Sequence, residues 1–279
     1  MILAYNTNGF AHHSLPDAFD LIAARGYRGV QLTPDVHHLN PFEPDAIGRL
    51  AAARAHLARL NLRSVIETGS RFLLDRERKH FPTLLSPDPT RRRQFLETAV
   101  GMAKALSAGV VSYWSGTAPD GYMPSANMAR LVEECKRLAD FAAARNIRLA
   151  FEPEPGMFID TMDKFAELHA RVFHPHFGLT LDIGHLVCQG ELPVSDHIRQ
   201  WKDWLWNVHI EDMRAGVHDH LLFGEGEVDF ADVFAGLRAV AYTGLVGVEL
   251  SRHSHDAVRT ADRAMAFLKP FAAPTASGT

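Results

Sequence analysis

The stretch "GLTLDIGH", residues 178–185, is an apolar run that ends in a carboxylate, with a histidine three residues further on. Short apolar runs of this kind are typical of buried strands. The stretch therefore predicts a strand that ends at Asp182, with His185 just beyond it. A turn residue would suffice at such a place, so these two polar side chains require a functional explanation.

Similar apolar runs recur along the chain and alternate with longer stretches of helical period. The predicted strands are residues 2–7, 29–33, 62–68, 109–114, 147–152, 177–182, 206–211 and 245–250. The stretches that predict helices include 15–27, 44–61, 125–146 and 229–242. Each of these opens near Asp, Ser or Pro and closes near Gly or Asn, as capped helices do.

Eight strand–helix units in about 250 residues predict an α/β fold, most economically a single-domain (β/α)₈ TIM barrel. We place the barrel at residues 1–271. The small, polar sequence of residues 272–279, "AAPTASGT", predicts a flexible tail. A doubly wound open sheet is the alternative, but "GEGE" at 224–227 lacks the third glycine of a dinucleotide-binding fingerprint.

The composition disfavours several classes of function. The chain has 279 residues, a formal net charge of -4 and a pI of about 6.5, whereas proteins that bind nucleic acid usually carry a strongly basic face. It has only two cysteines, without the spacing of a zinc or disulfide framework. No signal sequence or membrane-spanning run is recognisable. We therefore expect a cytoplasmic protein that binds neither nucleic acid nor membrane.

In a TIM barrel, chemistry collects at the carboxyl ends of the strands. The predicted strands five to eight carry four ionisable groups at equivalent depth: Glu152, Asp182, His209 and Glu249. Three carboxylates and an imidazole in a half-buried mouth would repel one another unless a cation lay among them. This oxygen-rich set predicts a divalent metal ion, Mn²⁺ or Mg²⁺ first, with Co²⁺ or Zn²⁺ as alternatives.

Four segments of the chain resemble known strand ends. They are "LAFEPEPG", "LTLDIGHL", "NVHIEDM" followed by "GEGEVDF", and "VGVEL", and they span about residues 145–252. Their order is similar to that of the xylose-isomerase-like TIM-barrel superfamily, which includes sugar and sugar-phosphate isomerases and epimerases, inosose dehydratases, hydroxypyruvate isomerases and endonuclease IV.

The resemblance implies a role for each matching residue. Glu152, Asp182, His209 and Glu249 would be the metal ligands, as in the ketose 3-epimerases. Glu152 and Glu249 would also be catalytic, one removing a proton beside the substrate carbonyl and the other returning it. His185 would contact a substrate oxygen, which accounts for the pair of polar residues in the opening stretch.

The chain departs from the epimerase pattern at two places, and a third segment is compared with endonuclease IV; each adds a candidate substrate contact. Glu154 lies only two residues beyond Glu152, where the epimerases have a second glutamate several residues further on. Arg214 lies near the place of an expected arginine, without a clean register. His218 and His220 stand where endonuclease IV has an Asp-x-His pair that binds an additional zinc ion, so a second metal site stays open, and His220 is retained as a substrate contact.

The resemblance implies a metal-dependent isomerase or epimerase acting on a small sugar, keto-sugar or polyol-derived hydroxy-carbonyl compound. Proton transfer would pass through an enediolate that the metal ion stabilises. A lyase or dehydratase on the same scaffold is the first alternative, with His185 or His220 as its acid. A zinc phosphodiesterase similar to endonuclease IV is a weaker one. Assembly into a homo-oligomer is left open.

Overall fold

The computed structural model describes residues 1–273, so most of the predicted tail, residues 274–279, lies outside the described residues. The strands are β1 Ile2–Asn6, β2 Gly29–Leu32, β3 Arg63–Glu67, β4 Val110–Tyr113, β5 Arg148–Phe151, β6 Phe177–Asp182, β7 Leu205–Ile210, β8 Asp212–Arg214, β9 Val217–Leu221 and β10 Leu245–Val248. The helices are α1 Leu15–Ala24, α2 Ala46–Arg59, α3 Thr90–Leu106, α4 Pro124–Ala143, α5 Met162–Val172, α6 Ile183–Gln189, α7 Val194–Gln200, α8 Phe230–Ala239 and α9 Ala257–Ala272.

Eight parallel strands close into a barrel in the order β1-β10-β7-β6-β5-β4-β3-β2. All eight predicted strands are therefore confirmed, and so is the (β/α)₈ TIM barrel. The two remaining strands, β8 and β9, form a separate antiparallel hairpin beside the barrel mouth. No helix among residues 1–273 is long and apolar enough to cross a membrane.

Capping residues determine where several helices begin. The Ser14 hydroxyl accepts the N–H of Asp17 at the start of α1, and Asp229 accepts that of Asp232 at the start of α8. Both side chains satisfy a backbone donor that has no partner within its helix. The same device starts α6 at Asp182, so the strand β6 passes directly into a helix.

The barrel interior beneath the mouth is polar and fully buried. Gln31 donates to Asn207 Oδ1 at 2.8 Å, and Thr180 donates to Ser112 Oγ at 2.9 Å. The Asn207 amide also lies 3.1 Å from His209 Nε2, so this layer supports the mouth from below. The large aromatic and aliphatic residues pack instead between the strands and the outer helices.

Candidate metal centre and active site

Four predicted residues converge at the carboxyl ends of the strands. Asp182 and His209 are register partners on β6 and β7, while Glu152 follows β5 and Glu249 follows β10. Nδ1 of His209 faces one oxygen of each carboxylate, at 2.8 Å for Glu152, 3.0 Å for Glu249 and 3.9 Å for Asp182. One potential ligand atom from each of the four residues lies within 4.8 Å of the other three.

The two oxygens of Asp182 have different surroundings. Oδ1 accepts the backbone N–H of His185 at 2.9 Å and thereby caps α6. Oδ2 is buried and accepts no N–H from the described residues. A buried carboxylate oxygen is costly unless a cation or a proton meets it. Asp182 therefore uses one oxygen for the fold and leaves the other facing the cluster.

The cluster perturbs the pKa values of its own members. Burial alone would lower the pKa of His209, but Glu152, Glu249 and Glu67 raise it well above its usual value. Burial raises the pKa of Glu152 well above its usual value, although His209 opposes this shift. The carboxylates thus favour the protonated, positively charged form of His209. A divalent cation would satisfy them more fully and leave His209 neutral.

Two further side chains orient the cluster from its rim. Glu67 Oε2, at the end of β3, lies 3.0 Å from Nε2 of His209. If the ring proton is held there, the lone pair on Nδ1 faces the carboxylate oxygens, as a metal-ligating imidazole requires. Asn8 donates to Glu249 Oε1 at 2.8 Å. Burial would raise the pKa of Glu249, but His209 and the hydrogen bond from Asn8 hold it well below its usual range.

The donor set fits a divalent metal ion. Three carboxylates and one imidazole converge, and Asp182 Oδ2, which accepts no N–H from the described residues, faces the cluster. Oxygen-dominated ligation of this kind suits Mn²⁺ or Mg²⁺, and a single imidazole is compatible with both. Glu152, Asp182, His209 and Glu249 could therefore hold such an ion.

A cavity of about 300 Å³ opens above the cluster. Glu152, Glu249, Glu154 and His185 all line it, and Trp114 forms part of its wall. Burial and the neighbouring carboxylates, Glu249 first, raise the pKa of Glu154 to about 8. The space is sufficient for a small polar molecule resting on the carboxylates.

The hairpin β8–β9 brings two more histidines to this cavity. His218 and His220 lie two residues apart on β9, so both side chains point to the same face of the strand, and that face contacts His185. Nε2 of His185 lies 3.1 Å from Nε2 of His218, and one ring nitrogen from each of the three histidines lies within 4.8 Å of the others. His185 Nδ1 contacts the Pro153 carbonyl oxygen at 3.0 Å, which fixes the ring.

Arg214 lies apart from the other predicted residues. It is exposed at the end of β8, where Nε and Nη2 donate to the carbonyl oxygen of Glu225 at 3.1 and 2.8 Å. It does not line the cavity. The hairpin turns the side chain outwards, which the spacing from His209 in the sequence could not show.

Glu211 is a buried residue of the site that sequence reasoning did not identify. Its Oε1 accepts the N–H of Gly184 at 3.1 Å. Burial and the neighbouring Asp182 raise the pKa of Glu211 well above its usual value, so it can donate a proton to Asp182. The signal available in the sequence was its position two residues beyond His209, the spacing of two side chains on one face of a strand.

Comparisons with known proteins agree with this architecture. The model of the xylose isomerase-like TIM barrel family matches residues 19–271. The L-ribulose-5-phosphate 3-epimerase of Salmonella paratyphi C is 29% identical over an alignment of 196 residues that covers 67% of this chain and 67% of that one.

Two solved structures show the same fold. The D-allulose 3-epimerase from Methylomonas sp. superposes with a TM-score of 0.78 at 22% identity, over 97% of this chain and 98% of that one. An AP endonuclease, family 2, from Brucella melitensis gives a TM-score of 0.74 at 22% identity, over 97% and 99% of the two chains. With a family model that covers most of the sequence and a site built at the family's strand ends, the chain belongs to the xylose isomerase-like TIM barrel family.

Proposed function

We propose that this protein is a divalent-metal-dependent epimerase or isomerase of a small keto-sugar. One observation carries the proposal: Glu152 and Glu249 reach the same nitrogen of His209 from strands that lie three positions apart in the barrel ring. Two carboxylates on different sides of one bound molecule are what removal and return of a carbon-bound proton require. The relatives named as 3-epimerases support the same class.

In this proposal Glu152, Asp182, His209 and Glu249 hold the metal ion, with Mn²⁺ or Mg²⁺ favoured over Co²⁺ or Zn²⁺. The bound ion supplies positive charge beside the substrate oxygens, where negative charge develops during proton transfer. Glu152 and Glu249 remove and return the proton at the carbon between them. His185 and Glu154 hold the substrate hydroxyls, and His220 approaches from the hairpin.

The direct test is hydrogen exchange at the reacting carbon. The metal-loaded protein is incubated in D₂O with D-allulose, D-tagatose, L-ribulose and its 5-phosphate, and deuterium incorporation is followed by NMR. Exchange with formation of the C3 epimer is expected, and Glu152→Gln or Glu249→Gln should each slow it by about 10²- to 10⁴-fold. Glu133→Gln, a change at an exposed helix position, is the matched control.

A dehydratase is the second candidate, because the imidazoles of His185 and His220 border the cavity and one of them could protonate a departing hydroxyl. Loss of water with formation of an unsaturated carbonyl product, in place of an epimer, would select it. We further propose that the protein works in the cytoplasm on a small molecule, without nucleic acid. Assembly of the chain into a homo-oligomer is a separate expectation, to be tested by sedimentation.

A further inference from the structure

The cavity above the candidate metal site has an acidic floor and one basic side. The floor is formed by the carboxylates, whereas Arg71, Lys79 and Arg252 line one side, which we call the cationic wall. The first two belong to the long connection between β3 and α3, and Arg252 lies in the short 3₁₀ helix Ser251–Asp256 that follows β10. All three cations also border a second depression of about 410 Å³, which shares them with the cavity.

Two of the three cations, Arg71 and Lys79, differ from neighbouring cations because they form no ion pair with the described residues. In the same connection Arg76 pairs with Glu77, and Arg78 pairs with Asp75 at 2.8 Å. Among residues 1–273, Arg71 and Lys79 have no carboxylate at ion-pair distance, and the Arg71 side chain donates only to the carbonyl oxygen of Ser251, at 3.4 Å. Arg252 does pair, with Asp219. Two cations in this wall thus keep their charge available for a bound group.

The connection that carries these cations is anchored by a buried arginine. Arg92, only 3% exposed, donates to the carbonyl oxygens of Pro82 at 2.8 Å, His80 at 2.9 Å and Thr68 at 3.4 Å. Its guanidinium also lies 4.7 Å from the ring centre of Trp114. These bonds anchor the backbone at His80, next to Lys79, and at Thr68, three residues before Arg71.

An uncharged aromatic pair lies beside Arg71 and Lys79 in the lining of the cavity. His80 stacks on Trp114, with ring centres 5.3 Å apart, and both rings line the cavity. Burial and the positive charges of Lys79, Arg92 and Arg71 lower the pKa of His80 to about 3, so this ring is neutral. A concave surface with unpaired guanidinium and ammonium groups binds anions, and guanidinium in particular matches the oxygens of a phosphate group.

We propose that Arg71, Lys79 and Arg252 bind a phosphate group of the substrate while its reacting carbons lie on the acidic floor. This inference rests on the proposed function and narrows it to phosphorylated keto-sugars. A dianionic phosphate has three terminal oxygens for the three cations, whereas a carboxylate has two. The alternative role for the cations is to offset the acidic floor, since Lys79 partly opposes the rise in the pKa of Glu154 that burial and the neighbouring carboxylates cause. That role would affect every substrate equally.

The test compares the metal-loaded wild type with Arg71→Met/Lys79→Met and with Arg76→Met. Arg76 is a matched control, because it belongs to the same connection and its side chain is 92% exposed. Inorganic phosphate and glycerate are titrated calorimetrically into each protein, and kcat/KM is measured for L-ribulose 5-phosphate and for L-ribulose. The double variant should bind phosphate about 10- to 100-fold more weakly and lose a similar factor in kcat/KM for the phosphorylated sugar alone. The control should match the wild type.

Three outcomes contradict the proposal: unchanged phosphate affinity in the double variant, equal losses of kcat/KM for both sugars, and tighter binding of glycerate than of phosphate by the wild type. Failure of the proposed function gives a different result. If no sugar is epimerised but phosphate affinity still falls in the double variant, the phosphate site stands and the epimerase assignment does not.

Discussion

Removal of the proposed metal ion should destabilise the protein by a predictable amount, because its candidate ligands are brought together only in the folded chain. At a free metal concentration about 100 times its Kd, binding contributes about 2.7 kcal/mol to the free energy of unfolding. For a chain of 279 residues the unfolding entropy is about 0.6 kcal/mol per kelvin. The expected rise in Tm on adding metal to the chelated protein is therefore about 5 °C, measured by calorimetry.

The variant Asp182→Asn tests whether the Asp182 carboxylate is responsible for the rise in Tm on adding metal. The asparagine keeps an oxygen that can cap α6 but removes the charge on the cluster side, so the variant should fold and lose most of the metal-dependent rise in Tm. Asp229→Asn is the matched control, since Asp229 caps α8 in the same way at 3.0 Å from Asp232 N and lies outside the cavity. An equal rise in Tm for wild type and Asp182→Asn would refute the assignment of Asp182.

Elemental analysis of the same samples counts the ions. About one Mn, Mg or Co per chain is expected, and it should be lost in a Glu152→Gln/His209→Ala variant. Two or three zinc ions per chain would instead favour the multinuclear phosphodiesterase, with the three histidines at the hairpin as further ligands. No metal in either sample would contradict the mechanism.

Two further substitutions test the supports of the site. Gly184→Ala should lower the free energy of unfolding by about 1–3 kcal/mol in urea titrations, because its Cβ would collide with the Glu211 carboxylate. Gly101→Ala is the control: this position in α3 has open space around it, so the substitution should be neutral or stabilising. Asn8→Ala should reduce kcat/KM about 10-fold without a change in circular dichroism, because Glu249 loses the amide that orients it at 2.8 Å; an unchanged kcat/KM would show that this hydrogen bond is dispensable.

The barrel and the four-residue cluster could be predicted from the sequence because both depend on short periodic patterns. Each strand is an apolar run, and parallel strands in a closed barrel must present their carboxyl ends at one mouth. Once the strands are placed, residues at their ends are neighbours whatever the loops do. Asp182 and His209 illustrate this, since they are register partners across β6 and β7.

Features that depend on loops and on side-chain direction could not be predicted in the same way. The hairpin β8–β9 carries His218 and His220 to His185 but turns Arg214 towards solvent, and no periodicity distinguishes these two results. Arg71 lies in an irregular connection whose position depends on the three carbonyl bonds of Arg92. Long-range contacts of this kind leave no local pattern in the sequence.

The two oxygens of Asp182 have different roles, and this explains why residues 178–185 place a carboxylate at the end of strand β6. A serine or asparagine would cap α6 equally well, so helix capping alone does not require a charge. The charge is required by the second oxygen, which is buried beside Glu152, His209 and Glu249 and accepts no N–H from the described residues. Burying that charge opposes folding unless a cation or a proton compensates it. Glu211 can donate one proton to Asp182, and a cation at this cluster would compensate the charge more fully, so the difference between capping and charge is what Asp182→Asn measures.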